Sequence, residues 1–245
     1  MTITKQILKP FAALSIALAL FSCNNSTEKK DEPVKTPDST TAATTTATPP
    51  APAAFTPFDV LEVSHTVKDY AAWRPIFNND SANRKAAGME DIVVGRGLEK
   101  NNNIVLAFKV TDMQKAKAFG ADPKLKATMD KAGVISKPEM TFYHVIRYNP
   151  NSNEKQWVLV THKVKDFAAW LKVFDAEGTA TRAGFGLIDV ALARGIEDSS
   201  MVHIVFDIKD MAKAKARMND PALKKLMTDA GVISAPKIEF YTTAE

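Results

Sequence analysis

The chain carries one stretch of sequence written twice. Val63-Ser64-His65-Thr66-Val67-Lys68-Asp69-Tyr70-Ala71-Ala72-Trp73 recurs 97 residues later as Val160-Thr161-His162-Lys163-Val164-Lys165-Asp166-Phe167-Ala168-Ala169-Trp170. Arg96-Gly97 recurs as Arg194-Gly195, Asp112-Met113 as Asp210-Met211, and Asp122-Pro123 as Asp220-Pro221. Ala132-Gly133-Val134-Ile135-Ser136 recurs as Ala230-Gly231-Val232-Ile233-Ser234, now 98 residues on, so one residue is inserted between Trp170 and Arg194. Chance does not produce this many matches in order. A duplication confines the fold to two copies of one unit of about ninety residues.

Each copy shows the same order of elements. Residues 61–67 alternate and are rich in β-branched side chains, which predicts a strand. Asp69 is placed to cap a helix, because its short carboxylate accepts from free first-turn amides. Tyr70, Trp73 and Phe77 then mark one helical face, as do Phe167, Trp170 and Phe174. Pro75 predicts a bend in the first of these helices, and Gly88 or Gly186 ends the helical region. Strands follow at 91–98 and 189–196. Asn101-Asn102-Asn103 and Asp198-Ser199-Ser200 turn the chain into strands at 104–110 and 202–208. Asp112 and Asp210 cap further helices. Asp122-Pro123 and Asp220-Pro221 restart them, aspartate as cap and proline at the first helical position. Gly133 and Gly231 stand where a left-handed helix end needs them. Strands at 141–147 and 237–242 close the copies.

The order is β-α-β-β-α-β, the split arrangement of ferredoxin-like folds, and the class is α+β. One face of such a four-stranded sheet carries the helices and the other is bare. Two tandem copies, at residues 58–148 and 155–245, can press their bare faces together into a pseudo-dimeric barrel, which makes the expected particle a monomer.

The residues before the repeat differ in kind. Lys5 and Lys9 precede an apolar run at 11–21, broken only by Ser15. The run is shorter than the roughly 20 residues a membrane span needs, and matches a signal-peptide core. Leu20-Phe21-Ser22-Cys23 resembles the bacterial lipobox, in which a cysteine after a small residue takes lipid on its sulfur; Phe21 departs from the small residue usual there. Cys23 is the sole cysteine. Residues 1–22 are thus expected to be a lipoprotein signal peptide and Cys23 a lipidation site. The chain would then be anchored to the bacterial cell envelope, at the outer membrane, and would use no disulfide. Residues 23–57 are dominated by Thr, Ala, Pro and charged side chains and are expected to form a flexible tether. The formal charge is +4 with acids and bases interspersed. There is no basic stripe with interleaved aromatics, so nucleic acid is not an expected partner.

Segment 65–75, from His65 to Pro75, with Ala116-Lys117-Ala118-Phe119, Asp122-Pro123-Lys124-Leu125-Lys126 and Ala132-Gly133-Val134, resembles the dimeric α/β-barrel superfamily, which includes the antibiotic-biosynthesis monooxygenase-like proteins. The resemblance covers nearly all of the chain after residue 58. It implies the barrel fold. About activity it implies little, because the fold hosts cofactor-free oxygenases, cyclases, haem enzymes and isomerases.

His65 and His162 are the candidate catalytic residues. The strand period puts each on an apolar face, where an imidazole can serve as acid or base in a cavity; some members of the superfamily place a histidine on this strand. The competing expectation is a neutral histidine bonded to a carbonyl or to Asp69. Arg96 and Arg194 are candidate ligand clamps, against surface pairs with Glu99 or Glu197, and their glycines suit a bulge. Trp73 and Trp170 are candidate pocket walls, against plain core packing. His144 and His203 lack counterparts in the other copy, which has Thr242 and Val105. With no clustered ligand spacing, neither a metal nor another cofactor is expected. Three readings follow: a binder of a small hydrophobic molecule, a cofactor-free oxygenase, cyclase or isomerase, and a structural or interaction protein with filled cavities.

Overall fold

A computed structural model describes Phe55–Ala244. The leader, Cys23 and the tether up to Ala54 lie outside the described residues. The first half runs β1 (Phe58–Thr66), α1 (Tyr70–Asn79), α2 (Ser81–Ala86), β2 (Met89–Gly97), β3 (Asn103–Val110), α3 (Met113–Gly120), α4 (Pro123–Lys131) and β4 (Glu139–Tyr148). The second runs β5 (Gln156–Lys163), α5 (Phe167–Glu177), α6 (Thr179–Gly184), β6 (Leu187–Gly195), β7 (Met201–Ile208), α7 (Met211–Met218), α8 (Pro221–Asp229) and β8 (Lys237–Thr243).

The strands form one closed antiparallel barrel in the order β1-β3-β2-β8-β5-β7-β6-β4. Each half contributes the ferredoxin-like order 4-1-3-2. The seams are β2 with β8, through Gly95–Gly97, and β4 with β6, through Tyr143–Tyr148. Closure covers the bare faces and removes every sheet edge, which an open four-stranded sheet would leave exposed.

Local chemistry places the helices as the sequence predicts. Asp69, Asp112 and Asp122 accept from Ala72, Lys115 and Lys124 amides, and Asp166, Asp210 and Asp220 repeat the pattern. The repeated Gly-Val-Ile-Ser run is a latch. Gly133 adopts φ 81°, Val134 bridges to Val67, and Ser136 Oγ accepts from the Thr66 amide at 2.8 Å. Gly231, Val232 and Ser234 do the same for Val164 and Lys163. The last helix of each half is thereby tied to the end of its first strand.

Two expectations need correction. The glycines after Arg96 and Arg194 do not make bulges: the ladders slip between Asp91 and Val93 and between Asp189 and Ala191. Gly97 instead serves a tight hairpin, where a Cβ would come 2.6 Å from the Lys100 carbonyl. The first helical region is also two helices rather than one. Asp80 joins α1 to α2 in the first half; the inserted residue, Gly178 at φ 78°, joins α5 to α6 in the second.

The core has two layers. Leu61, Val63 and Val67 face the helices, with Trp73 and Phe108, and the second half repeats this with Val158, Val160, Trp170 and Phe206. The opposite faces fill the barrel. Val60, Tyr143, Val145 and Ala193 pack on one side, and Val105, Trp157, Leu159 and Tyr241 on the other.

Candidate ligand-binding site

His65 and His162 end their strands beneath the first helices. Each ring lies against the tryptophan expected to share its pocket, at 5.7 Å from Trp73 and 5.5 Å from Trp170. Those indoles stack in turn on Phe77 and Phe174. The expectation of a hydrogen-bonded histidine fails. Both nitrogens of both imidazoles are buried without a partner in the protein; Asp69 and Asp166 cap helices instead. Burial pushes each imidazole down to about 4, so both are neutral at physiological pH.

Two buried arginines brace this layer, and sequence reasoning passed over them. Arg84 binds Asp91 through two nitrogens, donates to the Phe77 carbonyl, and lies 3.8 Å over the Phe77 ring. Arg182 repeats this with Asp189, the Phe174 carbonyl and the Phe174 ring. The signal was present: an arginine seven residues before an aspartate in both copies.

A cavity opens beside each histidine, and the two differ greatly in size. The first, lined by His65, Trp73, Phe77, Arg84, Phe119 and Met140, has a volume of about 70 Å³. The second, lined by His162, Trp170, Phe174, Arg182, Arg217 and Ile238 among others, has about 790 Å³. Two substitutions and one insertion between the copies lie at the difference. Phe119 packs into the first cavity, where the second copy has Arg217. Arg217 leaves that space to lie 4.5 Å over the Phe185 ring and to bind Glu177 at 2.5 Å and Asp220 at 3.1 Å. Met140 becomes Ile238, and Gly178 is added between α5 and α6. The second cavity therefore has an apolar wall, a histidine at its base and a charged rim of Arg182, Glu177 and Arg217.

Arg96 and Arg194 are not brought to these cavities. Arg96 Nε donates to the Asn101 carbonyl at 3.0 Å and its guanidinium lies 4.1 Å over Tyr70. Arg194 donates to the Ser199 carbonyl and covers Phe167. The surface pairs with Glu99 and Glu197 do not form either; Glu197 is taken by Lys117. Tyr70 and Phe167 outcompete the glutamates because a weakly hydrated, planar guanidinium stacks well on a ring.

A third cavity, of about 230 Å³, lies inside the barrel. His203 faces it, with Nε2 3.4 Å from Glu62 and its ring 4.2 Å from Tyr143. His144, the other unmatched histidine, lies outside against Asp59 at 2.7 Å. Among the described residues no group of three or more His, Cys, Asp or Glu side chains is placed to hold a metal ion.

Comparison with known proteins supports the architecture. No protein-family model and no curated protein sequence matches the chain. Solved structures do. A candidate monooxygenase from Fusobacterium nucleatum subsp. nucleatum is 12% identical with a TM-score of 0.52, over 77% of this chain and 93% of that one. An anthrone oxidase-like protein is 12% identical with a TM-score of 0.49, over 77% and 92%. A ferredoxin-fold protein from Listeria monocytogenes, related to antibiotic biosynthesis monooxygenases, is 10% identical with a TM-score of 0.46, over 78% and 97%. Likeness at this identity speaks for fold alone. The closed barrel and its strand order, with the fold of the Fusobacterium protein beside them, establish the chain as two tandem ferredoxin-like units forming a pseudo-dimeric α/β barrel within one polypeptide.

Proposed function

We propose that this protein binds a small hydrophobic molecule, in the helix-covered cavity of its second half. One observation carries the reading: a space of about 790 Å³, walled by Trp170, Phe174, Ile204 and Phe206, stands open where the first half is filled. Ligand sites are typically concave and mostly apolar, with a few polar groups to fix orientation. His162, Arg182 and Arg217 supply those groups. The lipobox-like segment ending at Cys23 supports an envelope-anchored binder, held off the membrane by its tether.

Native mass spectrometry of the full chain, released from detergent, tests the cavity. A monomer with added small-molecule mass is expected, together with saturable binding of anilinonaphthalene sulfonate. Val173→Trp fills the cavity and should abolish both, whereas Ile76→Trp, its counterpart, should leave both in place. Binding that survives Val173→Trp would overturn the assignment. For the anchor, Cys23→Ser should move the protein from the membrane to the soluble fraction.

A second reading, turnover by a cofactor-free oxygenase, cyclase or isomerase, is favoured by the uncommitted nitrogens of His162. Its test is conversion of the recovered molecule. Loss of conversion in His162→Gln, with binding retained, would establish catalysis; conversion that persists unchanged would remove the histidine from it.

A further inference from the structure

Four residues inside the barrel break the repeat. Glu62 stands where the second copy has Leu159, and His203 where the first has Val105. Those two unmatched polar residues meet each other, Nε2 to Oε2 at 3.4 Å. The other break concerns bulk. Trp157 occupies the place of Val60 and packs over Gly95, where a Cβ would come 2.5 Å from its ring; the equivalent of Gly95 is Ala193. Large-over-small on one side is thus matched by medium-over-small on the other. The space that Trp157 takes on its own side is left open beside Val60 and Ala193, and the cavity of about 230 Å³ includes it.

The chemistry of that cavity is one-sided. Its lining holds three carboxyl groups, Glu62, Glu154 and Asp207, and four large aromatics, Phe58, Tyr143, Tyr148 and Trp157. It holds no lysine and no arginine. Glu62 and His203 are deep in it, with side chains 17% and 10% exposed. His203 Nδ1 and Trp157 Nε1 are buried without hydrogen-bond partners. At the mouth, the connection between the halves crosses over: Ser152 Oγ donates to Asp207, and the Glu154 amide donates to the same carboxylate at 3.2 Å.

We propose that the barrel interior is a second binding site, separate from the helix-covered cavities, that takes a small organic cation, an alkyl or aryl amine, against Glu62, Tyr143 and Trp157. An ammonium group suits carboxylates and ring faces together, and the lining would repel an anion. The volume is that of about eight water molecules, which limits the guest to a small amine. The site does not rest on the reading of the second-half cavity.

The protonation states around the site fit this assignment. Burial, with Glu239 and Glu139 nearby, holds the Glu62 carboxyl protonated up to about 8. Lys237 also faces it, but its ammonium is held by Glu239 at 3.0 Å and lies 3.8 Å from Glu139. His203 is neutral, pushed down to about 3 by burial, and Tyr143 and Tyr241 are pushed up and stay neutral. A guest cation would displace the Glu62 proton, so affinity should rise with pH between 6 and 8.

Calorimetry on the full chain with phenethylamine tests this. Expected are saturable binding, release of a proton seen as an enthalpy that differs between phosphate and Tris buffers, and no binding of benzoate. Glu62→Gln should weaken the amine at least tenfold. Val60→Trp with Ala193→Gly copies the Trp157–Gly95 pair onto the open side and should abolish binding, in a geometry the barrel already accepts. Both variants should keep the near-UV circular dichroism and the cooperative urea unfolding of the parent, which report that they are folded, and should still bind anilinonaphthalene sulfonate. The proposal is overturned if phenethylamine does not bind, if phenol binds as tightly, if Glu62→Gln leaves affinity unchanged, or if the dye displaces the amine.

Discussion

The two halves share a scaffold and differ in what they enclose. Their caps, latches, aromatic ladders and braced arginines recur at aligned positions, yet one helix-covered cavity has about 70 Å³ and the other about 790 Å³. What was kept is the set of contacts that closes the barrel and seats the helices. Among the changes in the cavity lining are Phe119 to Arg217, Gly120 to Met218, Ile76 to Val173 and Met140 to Ile238, with Gly178 added next to Glu177. Stability is thus held in common while space has been made on one side only.

The most disruptive test of this contrast removes the stacked indoles. Trp73→Ala and Trp170→Ala should each cost about 3–5 kcal/mol in urea unfolding, since both are almost wholly buried. Only Trp170→Ala should also weaken ligand binding. Loss of binding in Trp73→Ala would erase the distinction between the halves.

The buried arginines should separate the halves more finely. Arg84→Ala strands Asp91, whose side chain is 46% exposed and recovers water. Arg182→Ala strands Asp189 and also deprives Glu177, 13% exposed, of one partner. A cost of about 2 kcal/mol is expected for Arg84→Ala and about 3–5 kcal/mol for Arg182→Ala, both by chemical denaturation. Equal costs would show that the Glu177 network adds nothing.

Acid should act on both halves alike. The folded imidazoles of His65 and His162 are depressed to about 4 by the same cause, burial. The unfolded chain therefore takes up these protons first as pH falls below about 6.5. Their stabilisation is complete above that pH and is lost on descent to about 4, by up to about 3 kcal/mol for each histidine. His65→Phe and His162→Phe should each flatten the acid limb of stability against pH by the same amount. Unequal flattening would mean that the open cavity hydrates His162.

The smallest effects concern the caps. Asp69→Ala and Asp166→Ala should each lower stability by about 1 kcal/mol, and by equal amounts, because the cap bonds are 2.9 Å in both copies. A difference beyond about half of that would show that Pro75, in the second turn of α1 and absent from α5, changes how the first helix starts.

Strands, caps and the glycines that end helices were legible in the sequence because each is set by neighbours within a few residues; the latches, which join residues roughly 70 apart, were not. Asp122-Pro123 starts a helix wherever it stands, and Gly133 ends one. Barrel closure was legible too, since a bare face repeated twice must cover itself. The interior was not. Glu62 lies between Leu61 and Val63, and alternation on a half-buried strand assigns it to solvent. Only closure of the barrel turns that face inward, and only the third dimension brings His203 to it. The unlike sizes of the two cavities were hidden for a related reason. Phe119 and Arg217 are aligned in sequence, but the direction Arg217 takes is fixed by Glu177, Asp220 and Phe185, which come from three other elements or turns. Arg96 and Arg194 misled because a ring one helix away holds them better than the glutamates beside them.

The connection from Asn149 to Glu154 has a genetic consequence. In a barrel assembled from two identical chains, every mutation arrives twice, related by the axis, and a change tolerable on one side must be tolerable on both. With a single covalent link the two sides are inherited together but mutate apart. A carboxyl group can enter the interior without its twin, and a tryptophan can cross the middle without meeting its own image.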